Sequence, residues 1–288
     1  MTAIYQKELR SYFNSMIGYV FVAFMLAIVG MYFGLNNVAA GNPYFATALN
    51  NALYIMLIAI PVLTMRSMAE EMKNRTDQAL LTAPCTAADI IFGKFWAMVS
   101  VFAIPTAVFC LCPLIIRSFG NWQPLVDYWA IVLFFLIGCC LIAGGLYVSC
   151  LTENQLIAAV GTFVIVLLVY LWDTLISYLP QSPVSSFAGF ALLAALLCLL
   201  VRLCSGSTAA AIIAFVLCIG ALMAVYFCRE NLLAGSFERF LENFSLTAPL
   251  NGLKDTRSLN LGVLLRYLAY SGLFLYLSVR SIERKRNR

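Results

Sequence analysis

The chain contains no histidine, and only 11% of its 288 residues are charged. Without imidazole there is no histidine metal ligand and no Ser-His-Asp triad. No GxxxxGK[ST] run occurs. Gly93-Lys94 is followed by Phe95, which leaves neither a phosphate-cradling loop nor a magnesium-binding hydroxyl, so any ATP used must be bound by another polypeptide. The ten cysteines form no CxxC pair, which argues against zinc and dithiol redox motifs. Nine of them lie in or beside apolar runs and read as small packing residues, with only Cys85 in a polar loop. No acidic pair or Ser–Lys pair forms a catalytic constellation. The expectation is a protein with no catalytic residues, cofactor or metal of its own.

What is abundant is hydrophobic surface, at 63% of the residues. A soluble domain of this size needs more charge to cover itself. In hydrocarbon each spanning segment must satisfy its own backbone hydrogen bonds, which leaves helices or closed barrels. The apolar runs lack period-two alternation, so an all-α, polytopic transmembrane bundle is predicted. A spanning helix takes about 20 apolar residues. Eight segments qualify: 17–36, 50–65, 95–116, 128–150, 156–176, 186–203, 208–227 and 261–279. The sixth and seventh form a hairpin, 186–227, closed by Ser205-Gly206-Ser207.

The net charge of +5 lies at segment ends, which points to a lipid bilayer and away from nucleic acid. With the N-terminus inside, twelve of the 18 Lys and Arg fall on inner segments, six of them outside. Both termini are therefore placed in the cytoplasm of a plasma (inner) membrane protein, with the basic tail after Arg280 as the strongest anchor. Trp96, Trp122, Trp129 and Trp172 fall near segment ends, as an interfacial belt requires. Residues 1–16 read as an amphipathic elbow helix, with Ile4, Tyr5, Leu9, Tyr12 and Phe13 on one face and Lys7, Arg10, Ser11 and Asn14 on the other. A signal peptide cleaved after Val38-Ala39-Ala40 is disfavoured because the apolar core is too long.

The stretch 66–94, RSMAEEMKNRTDQALLTAPCTAADIIFGK, is the longest polar segment on the inner side. Arg66, Glu70, Glu71, Lys73, Arg75 and Asp77 are predicted to crowd one short helix that Pro84 ends. Thr86 with Asp89 has capping-box spacing for the next helix, along which Lys94 is expected to snorkel to the headgroups. Thr152 and Gln155 have the same spacing before the fifth span, and Glu153 between them places a carboxylate at the inner face. On these grounds alone a solvated connector and a docking helix for a soluble partner stand level.

Several stretches together resemble one family. Pro61-Val-Leu-Thr-Met-Arg66, Ala69-Glu70-Glu71, Thr76-Asp77-Gln78, Leu80-Leu81-Thr82-Ala83-Pro84 and Gly93-Lys94-Phe95 look like the ABC-2 type permeases. Tyr5 through Tyr19 and Leu151 through Gln155 are similar to the branch associated with gliding-motility ABC systems. The likeness covers about residues 1–175 and returns at 262–288. It implies a permease subunit of an exporter, paired with a second permease subunit and with ABC ATPase subunits, and open to an accessory membrane subunit. The loop between the second and third spans would be its coupling segment. Glu70 and Glu71 would then contact the ATPase, Arg66 would anchor the segment to the membrane, and Lys73, Arg75 and Glu153 would share the interface.

The chain departs from the family's six-span plan through the 186–227 hairpin. The following segment, 229–260, carries Phe237, Phe240, Leu241 and Phe244 at helical spacing, and is expected on the outer leaflet as a gate or a spacer. Gly138, Cys140, Gly144 and Gly145 mark a close-packing seam, within the chain or between subunits. A secondary carrier is the alternative class. It is disfavoured because Asp173 and Arg266 lie near span ends, whereas ion-coupled carriers place ionisable groups near the midplane.

Overall fold

The computed structural model describes residues 1–76, 85–118, 123–180, 182–205, 223, 235–253 and 261–286. Every regular element among them is helical. In order these are α1 (Thr2–Asn14), α2 (Ile17–Phe33), α3 (Phe45–Ala52), α4 (Met56–Thr64), α5 (Ala69–Lys73), α6 (Ala87–Phe109), α7 (Cys112–Arg117), α8 (Pro124–Leu151), α9 (Gln155–Ser177), α10 (Pro183–Ser205), α11 (Ser236–Glu242), α12 (Ala248–Asn251) and α13 (Leu261–Arg286). Six continuous helical runs among the described residues are long and apolar enough to cross a membrane: Ile17–Ala39, Phe45–Lys73, Ala87–Arg117, Pro124–Leu151, Gln155–Ser177 and Leu261–Arg286. The protein is thus a multi-pass helical membrane protein. The predicted sixth segment falls in α10, and the seventh, residue 223 apart, lies outside the described residues.

The chain divides into two compact units, Met1–Tyr170 with Leu246–Arg288, and Leu171–Ser245. In the first, α8 is the hub, with 78% of its most apolar stretch buried, against 17% for α9 and for α13. Its 28 residues reach about 42 Å at 1.5 Å per residue, enough to cross hydrocarbon with a turn to spare at each end. The seam predicted from small residues lies on this helix and faces the chain itself. A Cβ on Gly138 would meet Phe102 Cε1 at 2.2 Å, and one on Gly145 would meet Thr64 Oγ1 at 2.5 Å. Phe102 fills the Gly138 notch, stacked on Phe135 at 5.7 Å and on Phe134 at 6.1 Å. Gly138 and Gly145 therefore bring α6 and α4 onto α8.

Pro61 and Pro105 sit inside α4 and α6, where neighbouring helices and local hydrogen bonds make the missing donor tolerable. Buried Thr64 returns its hydroxyl to Ile60 O and Thr106 to Phe102 O.

In the second unit, α11 carries the phenylalanines expected on the outer leaflet. Phe237 packs on Phe190 of α10 at 5.2 Å, over Gly189, and Phe240 meets the same ring at 5.9 Å. Part of that apolar face is thus spent on the protein, while Phe240 and Phe244 keep 39% and 49% of their surface exposed.

Replacing Gly138 with Leu should overpack the Phe102 notch and destabilise the purified chain by about 1–3 kcal/mol, read as a lower thermal midpoint. The same change at Gly30, where an added Cβ would meet nothing within 4 Å, should leave the midpoint within about 0.5 kcal/mol of the parent.

Candidate functional site

The end of the bundle that carries both termini gathers most of the charged residues singled out above. Here α1 lies against α6, and the Arg66–Thr76 segment lies between them and α8. Close approach of α1 to α6 depends on Gly93, whose Cβ would stand 3.0 Å from Ile4 Cγ2. One residue on, Lys94 is 1% exposed. Its ammonium donates to Glu8 Oε1 at 2.8 Å and to Ser67 O at 2.7 Å. Glu71 Oε2 lies 2.8 Å away as an ion pair, at an angle outside hydrogen-bond geometry. Glu71 also accepts from Lys7 at 3.2 Å on its other oxygen. Two carboxylates thus share the buried Lys94 ammonium, and the exposed Lys7 at the rim supplies the second positive charge.

The expected snorkelling of Lys94 to the headgroups is therefore wrong. Two carboxylates and a carbonyl, brought by α1 and the loop, give its ammonium better partners than the interface does. Glu8 was not singled out from sequence because it interrupts an apolar face. It shares that face with Ile4 and Tyr12, all three buried, while Lys7, Arg10, Ser11 and Asn14 are exposed as predicted. Tyr12 completes the join. Its hydroxyl donates to Leu63 O at 3.1 Å. Burial first, and then the nearby Glu8 charge, push the phenol's pKa well up, so it stays a neutral donor.

Arg66 and Glu70 form a forked pair one helical turn apart, at 2.7 and 2.8 Å, each side chain about one-third exposed. That guanidinium is engaged within the segment. The helix beyond it is shorter than predicted. Among the described residues of the segment, Ala69–Lys73 is helical, and Arg75, at φ 56°, turns the chain out of it. Asp77 and Pro84, expected in and at the end of that helix, lie outside the described residues. The start of α5 is capped from α8, where Ser149 Oγ accepts from the Met68 and Ala69 N–H groups at 3.0 and 3.1 Å. The capping box of Thr86 and Asp89 forms as expected at α6.

Lys7, Glu8, Tyr12, Arg66, Glu70 and Glu71 line an open cleft of about 270 Å³. Lys73, Arg75 and Glu153 do not join the cluster and are exposed. Glu153 stands in the α8–α9 turn, where the cap differs from expectation. Asn154 Oδ1 accepts from Leu156 N at 2.9 Å, while Thr152 Oγ1 closes the turn on Asn154 N at 3.1 Å. Asparagine directly preceding the helix reaches its second amide, so Thr152 is left to the turn. The basic tail is partly turned inward as well. Lys285 donates to Cys150 O at 2.8 Å and Arg286 to Cys85 O at 3.1 Å.

Among the described residues no group of His, Cys, Asp and Glu has the makings of a metal site. Cys139, Cys140 and Cys150 are buried, as expected of packing residues. What the cluster can do is mechanical: it fastens two other segments, α1 and Arg66–Thr76, to one ammonium on α6.

Lys94→Met strands Glu8, leaves Glu71 only the exposed Lys7 as a partner, and should destabilise the chain by about 3–5 kcal/mol. Adding Glu8→Gln should recover a substantial part, a coupling that a thermal double-mutant cycle reads directly. Strictly additive effects would show that the pair carries no coupling. Compared with protein-family models, with curated proteins and with solved structures, the chain matches none.

Proposed function

We propose that this chain is the membrane-spanning permease subunit of an ABC-2 type transporter, an exporter driven by ATP hydrolysis on a separate subunit. The motif set between Pro61 and Phe95 supports the reading, as do the six apolar helices. One observation carries it: Lys94 joins α1 and the Arg66–Thr76 segment to the start of a spanning helix. A push on that segment reaches α6 through the Glu71–Lys94 contact and α8 through Ser149, each a direct side-chain contact. In this reading the eight predicted segments all span the membrane, α1 is an interfacial elbow, and both termini are cytoplasmic at the plasma (inner) membrane. A second permease subunit completes the channel, and an accessory membrane subunit is compatible with it.

The structure changes which side chains are proposed to meet the ATPase. Glu71 faces inward to Lys94 and Arg66 is held by Glu70, so both are assigned to the joint. Exposed Lys73, Arg75 and Glu153, with the half-buried Glu70, are assigned to the partner surface.

The test is affinity purification of the tagged full chain from its own cells, in mild detergent. An ATPase subunit with a phosphate-binding loop should copurify. The triple change Lys73→Ala, Arg75→Ala, Glu153→Ala should reduce its recovery about tenfold or more while leaving the thermal midpoint unchanged, as expected for exposed contacts. Transport by the purified chain alone in liposomes, driven by an ion gradient, would overturn the proposal in favour of a secondary carrier.

A further inference from the structure

Every side-chain charge that α1 exposes is positive. Glu8 is buried, whereas Lys7 and Arg10 stand exposed three residues apart, on one helical face. With Gln6, Ser11, Asn14 and Ser15 they line an open groove of about 640 Å³, and among the described residues no carboxylate lines it. Among the described residues, none of the side-chain hydrogen bonds or ion pairs involves Gln6, Arg10 or Asn14. Lys7 meets Glu71 at 3.2 Å, but its side chain is 61% exposed, and an ion pair so hydrated holds a lysine weakly. Glu70 and Glu71 line the adjoining cleft, which shares Lys7, Ser11 and Ser15 with the groove, and they are held by Arg66 and Lys94.

The groove ends where a membrane-crossing helix begins. Ser15 lines it, Met16 follows, and α2 starts at Ile17. Met16 takes a left-handed conformation at φ 49°, costly for a residue with a Cβ, and 78% of its surface is exposed. In the first turn of α2, Tyr19 and Val20 are each 61% exposed. The Tyr19 ring packs edge-on against Phe13 of α1 at 5.4 Å, which joins this apolar patch to the helix that carries the groove. A basic groove thus opens beside exposed apolar side chains at the start of a span. Those are the two halves of a phospholipid's chemistry.

We propose that the α1 groove binds the headgroup of an anionic phospholipid, its phosphate held by Lys7 and Arg10 and its acyl chains running over Met16, Tyr19 and Val20. A guanidinium offers a phosphate two parallel N–H donors, and an ammonium offers it a point charge. Gln6, Asn14 and the two serines supply neutral donors to the rest of the headgroup. A zwitterionic headgroup brings a cation of its own, for which the groove has no counter-charge, so the anionic class fits better. A soluble protein could neutralise Lys7 and Arg10, but it has no use for apolar side chains at the start of a span. The inference rests on α1 lying at the inner membrane interface, as proposed above, and not on the transport function.

The test titrates the purified full chain, in a neutral detergent, with dioctanoyl phosphatidylglycerol, dioctanoyl phosphatidylcholine or sodium phosphate at equal ionic strength. Phosphatidylglycerol should raise the thermal midpoint by about 3 °C or more, with saturation, and the other two should not. Arg10→Gln should raise the half-saturating concentration about fivefold, and Lys7→Gln with Arg10→Gln about 25-fold, in line with the worth of each cation near an anionic surface. Arg280→Gln with Arg284→Gln removes as much charge from the same end but none from the groove lining, and should change it less than about twofold. Equal responses to the two lipids, or to phosphate and phosphatidylglycerol, would overturn the proposal. A tail variant weakened as much as the groove variant would show diffuse attraction and overturn it too. So would an unchanged titration in the Lys7–Arg10 variant, and a concurrent loss of ATPase copurification would then assign this face to that partner. No ATPase enters the titration itself, so its failure leaves the transport reading untouched.

Discussion

A buried ammonium determines how one end of this protein is built. Removing Lys94 from water is costly, and the cost is offset only if its counter-charges arrive with good geometry. Glu8 and Glu71 do so from segments that have no other reason to meet. An apolar contact of similar area would tolerate sliding by a residue or a turn. Paired charges at 2.8 Å do not, so the cluster specifies the register of α1 on α6 and the seat of α5. The second carboxylate is balanced by Lys7 at the exposed rim, so the charge is compensated where the cluster meets water.

The interior of the bundle follows a different logic. Between helices in lipid there is little hydrophobic force to exploit, so shape decides. Phe102 occupying the Gly138 notch, with Phe134 and Phe135 against it, fixes α6 on α8 by steric fit alone. The two devices act on the same pair of elements at different depths: steric fit in the apolar middle, charge at the end where water begins.

How much of this was legible in the sequence depends on the range of each interaction. Local features read through. Thr86 and Asp89 lie three residues apart, and their capping box forms. The face of α1 has a helical period, and its burial follows it. Six of the span positions also held, because an apolar run must pair its backbone within itself. Non-local features did not. Nothing near Glu8 or Lys94 announces a partner 86 residues away, and each alone looks like a surface charge. The error at Thr152 was local. Two side chains compete for one helix start, and the nearer asparagine reaches the amide. The length of α5 was misjudged because good helix formers gave no hint that Arg75 adopts a left-handed conformation.

The long reach of the Glu8–Lys94 contact has a consequence for how the protein is made. At synthesis rates of about 5–20 residues per second, the 86 residues between the partners take about 4–17 s to emerge. Throughout that interval the first helix has a carboxylate on its apolar face and no cation to receive it. The Glu8–Lys94 lock can close only after α6 itself has begun to be made. The contacts of α1 thus become available in order along the chain: Leu63 O for Tyr12 and Glu71 for Lys7 first, Lys94 for Glu8 last.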